Sequence, residues 1–263
     1  MRQAEHGQTT AGKAVVDLNA DMGESFGAWT MGNDAALMPL ISSANIACGF
    51  HAGDPSTVRA TVNLAAAQGV AIGAHPGLPD LQGFGRRTMS ITPDEAYELV
   101  LYQAGALSAF AQAAGSQLHH VKAHGALYNM AAKDRALSKA MAHAVKDLGR
   151  GVKMYVLAGS LMEEEARLAG LQVRCEVFAD RRYMPDGTLT PRSRPDALIS
   201  DESESVAHVL RMVNQGHLIA VDGSKVPVSA DTLCIHGDKA TALPFVRALR
   251  EALSLARVEV RAH

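Results

Sequence analysis

The sequence predicts an α/β barrel of about seven parallel strands. Three observations carry this: seven short apolar runs recur along the chain, helical patterns separate them, and polar residues cluster at the C-terminal ends of nearly all the runs. An open doubly wound sheet usually concentrates such residues at one switch point, and no GxGxxG follows the first run to suggest one. A single domain is expected over residues 14–263 of the 263, behind a polar tail over 1–13 that shows no periodicity.

The predicted strands are AVVDLN (14–19), ANIACG (44–49), VAIGAH (70–75), HHVKAH (119–124), KMYVLA (153–158), VRCEVFA (173–179) and TLCIHG (232–237). Each is too short for an independent helix and is bounded by Gly, Pro or Asp, which favours buried parallel strands. Helices are predicted over 55–69, 92–115, 133–149, 160–170, 202–216 and 242–256. Glycine closes most of them, and Thr92-Pro93-Asp94-Glu95 supplies an N-cap, a proline at the first helical position and first-turn acids. One segment breaks the rhythm. HLIAVDGSKVPVSAD alternates apolar and polar residues around Asp222-Gly223, which predicts a small inserted β-hairpin before the last strand.

Composition excludes several classes of function. A net charge of −2 leaves no electrostatic footprint for nucleic acid or for an anionic membrane. No apolar run approaches the ~18 residues that cross a bilayer, and the N-terminus lacks the apolar core of a signal peptide, so a cytoplasmic protein is expected. Cys48, Cys175 and Cys234 lie far apart without CxxC spacing, against a disulfide framework or a zinc ribbon. The substrate expected is a small molecule.

Four motifs and two late segments carry candidate chemistry. In DLNADMGESFG, Asp17 and Asn19 share one strand face and Asp21 and Glu24 follow in the turn. Three carboxylates so close raise a pKa or demand a cation. NIACGFHAGDP places Asn45 on its strand and His51 in the loop beyond. Asp54 before Pro55 reads as a helix N-cap, whereas His51 has no such structural explanation. GAHPGLPDLQGFGRR puts His75 at a strand end, ahead of Arg86 and Arg87, either of which suits a carboxylate or phosphate. VKAHGALYN sets Lys122 and His124 on one face, where a buried lysine requires a partner and Asp17 or Glu176 is expected to provide it. Later come Glu176, Asp180, Arg181 and Tyr183 in CEVFADRRYMPDGTL, then His236 and Asp238 in CIHGD. His119, His120, His143, His208 and His217 are read as surface or core residues without a role.

His51, His75, His124 and His236, with Asp17, would suit Zn or Mn, but the spacing is not diagnostic and no metal is assigned. Residues 7–14 match GxxxxGK, yet Ala14 replaces the required Ser or Thr and no strand precedes them, so the match reads as chance.

These six strings, in this order from Asp17 to Asp238, resemble the signature segments of the LamB/YcsF family. One departure is Ala123, where the family pattern VKPHGALYN has proline, which touches backbone rigidity and not the flanking side chains. The resemblance implies a distorted seven-stranded barrel similar to glycoside hydrolases and polysaccharide deacetylases. It also implies ATP-dependent opening of the 5-oxo-L-proline lactam to L-glutamate, ADP and phosphate, with partner subunits B and C and ATP as cosubstrate. On that scheme Asp17 or Glu176 activates water, His51 or His124 protonates the leaving nitrogen, and Lys122 and Arg86 stabilise negative charge, with Asp21 and Glu24 completing the catalytic set. Asn19, Asn45, His75, Asp180, Arg181, Tyr183 and His236 are expected to contact the substrate. Two other readings compete. A metal-dependent carbohydrate deacetylase or hydrolase is weakened by the few aromatics, Trp29 and Tyr183, in the loops. A non-catalytic role within a complex predicts that alanine at Asp17, Lys122 and His124 leaves turnover intact.

Overall fold

The computed structural model describes residues 14–235 and 242–263; the expected tail over 1–13 and the residues His236 and Asp238 lie outside them. Parallel strands β1 (Val15–Met22), β2 (Ser43–Ala47), β3 (Ala71–His75), β4 (Leu118–Lys122), β5 (Lys153–Leu157) and β6 (Val173–Phe178) pair in chain order. The hairpin strands β7 (His217–Ile219) and β8 (Lys225–Pro227) form a separate antiparallel pair, as alternation predicts. Strand β9 (Thr232–Ile235) then joins β6 to β1 and closes a seven-stranded barrel. A short β10 (Glu259–Val260) extends the sheet beside the start of β1.

The helices are α1 (Asp34–Leu37), α2 (Pro55–Gln68), α3 (Pro93–Ala113), α4 (Gly125–Ala131), α5 (Arg135–Asp147), α6 (Leu161–Leu168), α7 (Glu202–Gln215) and α8 (Ala242–Leu255). Their starts follow the chemistry of the sequence. Asp54 accepts from the Ser56 and Thr57 backbone N–H groups, and Thr92 with Glu95 forms a capping box, so orphan amides are satisfied where α2 and α3 begin. No helix among the described residues is long and apolar enough to cross a membrane.

Alternation along β1 divides two layers of the interior. Val16, Leu18, Ala20 and Met22 are at most 1% exposed and belong to the apolar core. Asp17, Asn19 and Asp21 project to the barrel lumen, which is filled with polar side chains instead of aliphatic ones. At its base the Asp17 carboxylate accepts from the Ser42, Ser43 and Thr232 hydroxyls at 2.6, 2.8 and 2.6 Å. Above it Asn19 donates to Thr232, Asn45 donates to Asn19, and the His120 ring meets Asn45 Oδ1 at 2.8 Å while stacking on Tyr155. Each of these buried groups has a partner, which is what makes a polar lumen tolerable. His120 fits because residue 73 is glycine: a Cβ there would lie 2.0 Å from His120 Nε2. The register also shifts between Ile72 and Gly73, a local distortion of the β3–β4 pairing.

Two expectations need correction. The first strand runs to Met22 rather than stopping at Asn19, so Asp17 sits deep in the lumen and not at the strand end. Lys122 consequently pairs with Asp21 and Glu176, and not with Asp17.

Candidate active site

The upper end of the lumen opens into a cleft of about 350 Å³ lined by Asp21, His75, Lys122, His124 and Glu176's partner Tyr128. Lys122, on the last position of β4, is 3% exposed and reaches Asp21 Oδ1 at 3.0 Å and Glu176 Oε1 at 2.8 Å. Burial works against its charge, but the Asp21 and Glu176 carboxylates outweigh that and hold the ammonium well above its ordinary pKa. Tyr128, from α4, donates to the other Glu176 oxygen at 2.7 Å; burial first, then this carboxylate, pushes its hydroxyl pKa far up. Glu176 is 0% exposed and is thereby fixed as an ion-pair anchor on the floor. Asp21, on β1, is the carboxylate that lines the cleft, with Asn45 donating to its Oδ1 at 2.9 Å.

Three histidines meet beside Asp21. His75 ends β3, His124 follows β4 as the residue before α4, and His51 comes from the β2–α2 loop. His51 and His124 stack with centroids 3.8 Å apart and planes 3° from parallel, and His75 stands edge-on to both. His75 Nδ1 lies 2.7 Å from the Lys122 carbonyl, and His124 Nε2 lies 2.8 Å from that of Phe84. Burial keeps His124 neutral, its pKa lowered to about 3, and lowers that of His51 further than its histidine neighbours do. Glu24 Oε1 is 4.0 Å from His124 Nδ1. Phe84 holds its carbonyl at φ 55, a region rarely used by a bulky residue, and Gly85 follows at φ 62 with no room for a side chain.

The rim is cationic. Arg86 lies over the Phe84 ring at 5.0 Å, and Lys133, Arg181 and Arg192 line the far wall. Arg181 is 5% exposed, donates to the Thr190 carbonyl at 2.6 Å, and has its pKa lowered by burial. Arg87 instead turns to Asp80.

Of the residues expected from the sequence, Asp21, His75, Arg86, Lys122, His124 and Arg181 line the cleft, while Glu24, His51 and Glu176 stand against those that do. Asp17, Asn19 and Asn45 form the layers beneath. Tyr183 is 1% exposed, its hydroxyl accepting from the Phe178 backbone N–H at 2.8 Å, so it braces the β6 end. Asp180 does not line the cleft. The sequence does not single out Tyr128, Lys133 or Arg192. Tyr128 lies within VKAHGALYN and was readable as part of it, but nothing distinguishes the other two from solvated loop cations. A larger cavity, about 460 Å³ between α7 and the hairpin, contains none of the strand-end residues.

Residues 16–263 match the LamB/YcsF family. The 5-oxoprolinase A subunit of Bordetella pertussis is 58% identical over 94% of this chain and 98% of its own, and that of Tolumonas auensis is 59% identical over 95% and 99%. The crystal structure of the lactam utilization protein from Thermus thermophilus superposes with a TM-score of 0.89 at 55% identity, covering 95% of this chain and all of that one. A putative cellobiose-phosphate cleavage protein from Enterococcus faecalis, TM-score 0.53 at 14% identity over 95% and 97%, shares the fold alone. With a family match spanning the barrel from β1 to the C-terminus and relatives above half identical along their whole length, the chain belongs to the LamB/YcsF family.

Proposed function

We propose that this chain opens the lactam ring of 5-oxo-L-proline to give L-glutamate, as the ring-opening component of an ATP-dependent 5-oxoprolinase that works with subunits B and C. The observation that carries the reading is the juxtaposition of an anionic acid–base group, Asp21, with a cationic rim in one cleft. The substrate is itself an anion, and its carboxylate suits the fork of Arg181 or Arg192. The Bordetella and Tolumonas relatives, both 5-oxoprolinase components by name, support this reading over a carbohydrate deacetylase.

A five-membered lactam is a stable amide in equilibrium with glutamate, so extensive cleavage needs coupling to a more favourable reaction. Phosphoryl transfer from ATP to the lactam oxygen supplies it, by making that oxygen part of a leaving phosphate. The partner subunits perform this step in the scheme, because residues 7–14 are no convincing nucleotide loop. Asp21 then relays protons from the attacking water to the ring nitrogen as the C–N bond breaks, which leaves an open-chain acyl phosphate that a second water cleaves to glutamate and inorganic phosphate. Lys122 holds Asp21 in place and, with Arg86, faces the negative charge that develops on oxygen or phosphate. His124 is held neutral by burial, with Nε2 against the Phe84 carbonyl, so it is not the resident acid. Asp17 is left out of the chemistry because three hydroxyls enclose it below the cleft.

The test is Asp21→Asn in the assembled enzyme. Loss of glutamate release, with folding and assembly intact, is expected; full turnover would remove Asp21 from the mechanism.

A further inference from the structure

The lactam-opening scheme leaves the histidine cluster largely unused, and the hydrogen bonding of that cluster is incomplete in a specific way. A carbonyl oxygen can only accept, so His75 carries its proton on Nδ1, which donates to the Lys122 carbonyl, and His124 carries its proton on Nε2, which donates to that of Phe84. The remaining nitrogens, His75 Nε2 and His124 Nδ1, therefore present lone pairs. They face each other at 2.9 Å. Two lone pairs at that separation repel unless a positive species sits between or beside them. Further acceptors point to the same place: Asp21 Oδ2 is 3.3 Å from His75 Nε2, and Glu24 Oε1 is 4.0 Å from His124 Nδ1.

His51 adds an independent observation. It is 0% exposed, and neither ring nitrogen has a hydrogen-bond partner. An imidazole left so costs stability with no return unless a ligand takes up one of its nitrogens. One donor atom from each of Glu24, His51, His75 and His124 falls within 4.8 Å of all the others. Tetrahedral zinc with bonds of about 2.0–2.1 Å needs its donors roughly 3.4 Å apart, which small side-chain rotations provide here.

We propose that Glu24, His51, His75 and His124 form a binding site for a divalent transition-metal ion, with zinc the best fit to three imidazoles and one carboxylate. The surroundings are those of a metal centre. Two of the imidazoles donate their outer N–H to backbone carbonyls, which fixes tautomer and ring orientation. Gly85 permits the stack: a Cβ there would come within 2.8 Å of His51 Cβ and 2.9 Å of His124 Cδ2. A metal at this position adjoins Asp21 and would polarise water or the lactam oxygen, a role that rests on the proposed lactam-opening function. The site itself stands without it.

The experiment is cobalt binding to the full chain after treatment with a chelator, followed by visible d–d absorption and by metal analysis of untreated protein. One ion per chain with the intense spectrum of a tetrahedral site is expected, displaced by zinc. Glu24→Gln and His51→Gln, each checked for fold by circular dichroism, are expected to weaken cobalt binding by more than roughly a hundredfold, beyond the loss typical of an outer-sphere change. Wild-type protein that binds neither cobalt nor zinc, or binds them with affinity indifferent to both substitutions, overturns the proposal and leaves a shared proton between His75 and His124. A chain that binds metal but yields no glutamate in the mixture with subunits B and C sinks the lactam reading alone; one that yields glutamate undiminished in that mixture after verified metal removal sinks the catalytic role of the metal alone.

Discussion

Replacing Lys122 with methionine keeps most of the side-chain volume and removes only the ammonium. In the native barrel that ammonium is 3% exposed and lies 2.8 Å from a Glu176 carboxylate with no exposure at all, and 3.0 Å from Asp21. Asp21 is half-buried beside the cleft and regains solvent when the pair is lost. Glu176 cannot, and keeps only the Tyr128 hydroxyl. Breaking a buried pair from one side costs about 3–5 kcal/mol, because the remaining charge is uncompensated. For a chain of this length that corresponds to a melting temperature lower by roughly 5–9 °C. Adding Glu176→Gln removes the stranded charge, so the double variant Lys122→Met/Glu176→Gln is expected to recover part of the loss, a coupling measurable by a denaturant double-mutant cycle. A Lys122→Met protein within 1 kcal/mol of wild type (about the ordinary effect of a single substitution), or a double variant with strictly additive losses, refutes the argument that Lys122 is held there by Glu176.

Other consequences follow from the layers beneath and beside the cleft. Asp17→Asn exchanges a carboxylate bound by three hydroxyls for an amide, at about 2–3 kcal/mol by urea denaturation, while turnover per folded molecule stays unchanged; a turnover collapse without destabilisation returns Asp17 to the chemistry. Gly73→Ala drives a methyl into the His120 ring and is expected to cost about 1–3 kcal/mol or more, with a lower melting temperature as readout; an unaffected melt contradicts the lumen packing. His208 is on the buried face of α7, and that burial, then Arg211 and Arg182, lower its pKa to about 4 against an opposing Glu204. The unfolded chain therefore binds this proton more readily. Stability from neutral His208 is complete above about pH 6.5 and falls as pH drops toward 4, by roughly 3 kcal/mol at full effect. His208→Gln flattens that part of the stability profile, and an unchanged acid limb argues that the group titrates normally.

Much of the barrel was legible because buried parallel strands write themselves as short apolar runs between glycines, prolines and aspartates. All seven barrel strands fall on such runs, and Asp222-Gly223 sits in the turn of the hairpin. What was not legible has physical causes. Asp21 belongs to a strand despite its poor β propensity, because its carboxylate is paired in the lumen by Lys122 and Asn45; a strand two or three residues longer than expected moved Asp17 from the mouth to the base. Helix α4 has no side-chain cap at His124, so the usual start signal is missing, and β10 is two residues long. The histidines were each recognisable at strand ends, but their meeting depends on the path of residues 76–87, where buried Gln103 ties down both backbone groups of Gly77. No local pattern encodes that path. Arg192 reaches the cleft from a Pro- and Ser-rich loop that, as sequence, resembles any solvated turn.

The most direct test of the central claim is glutamate release from 5-oxo-L-proline and ATP, measured with this chain alone and then with subunits B and C. Glutamate formed only in the complete mixture, and abolished there by Asp21→Asn, is the result predicted. Glutamate formed by subunits B and C without this chain, or none from the complete mixture, contradicts the assignment of ring opening to this barrel.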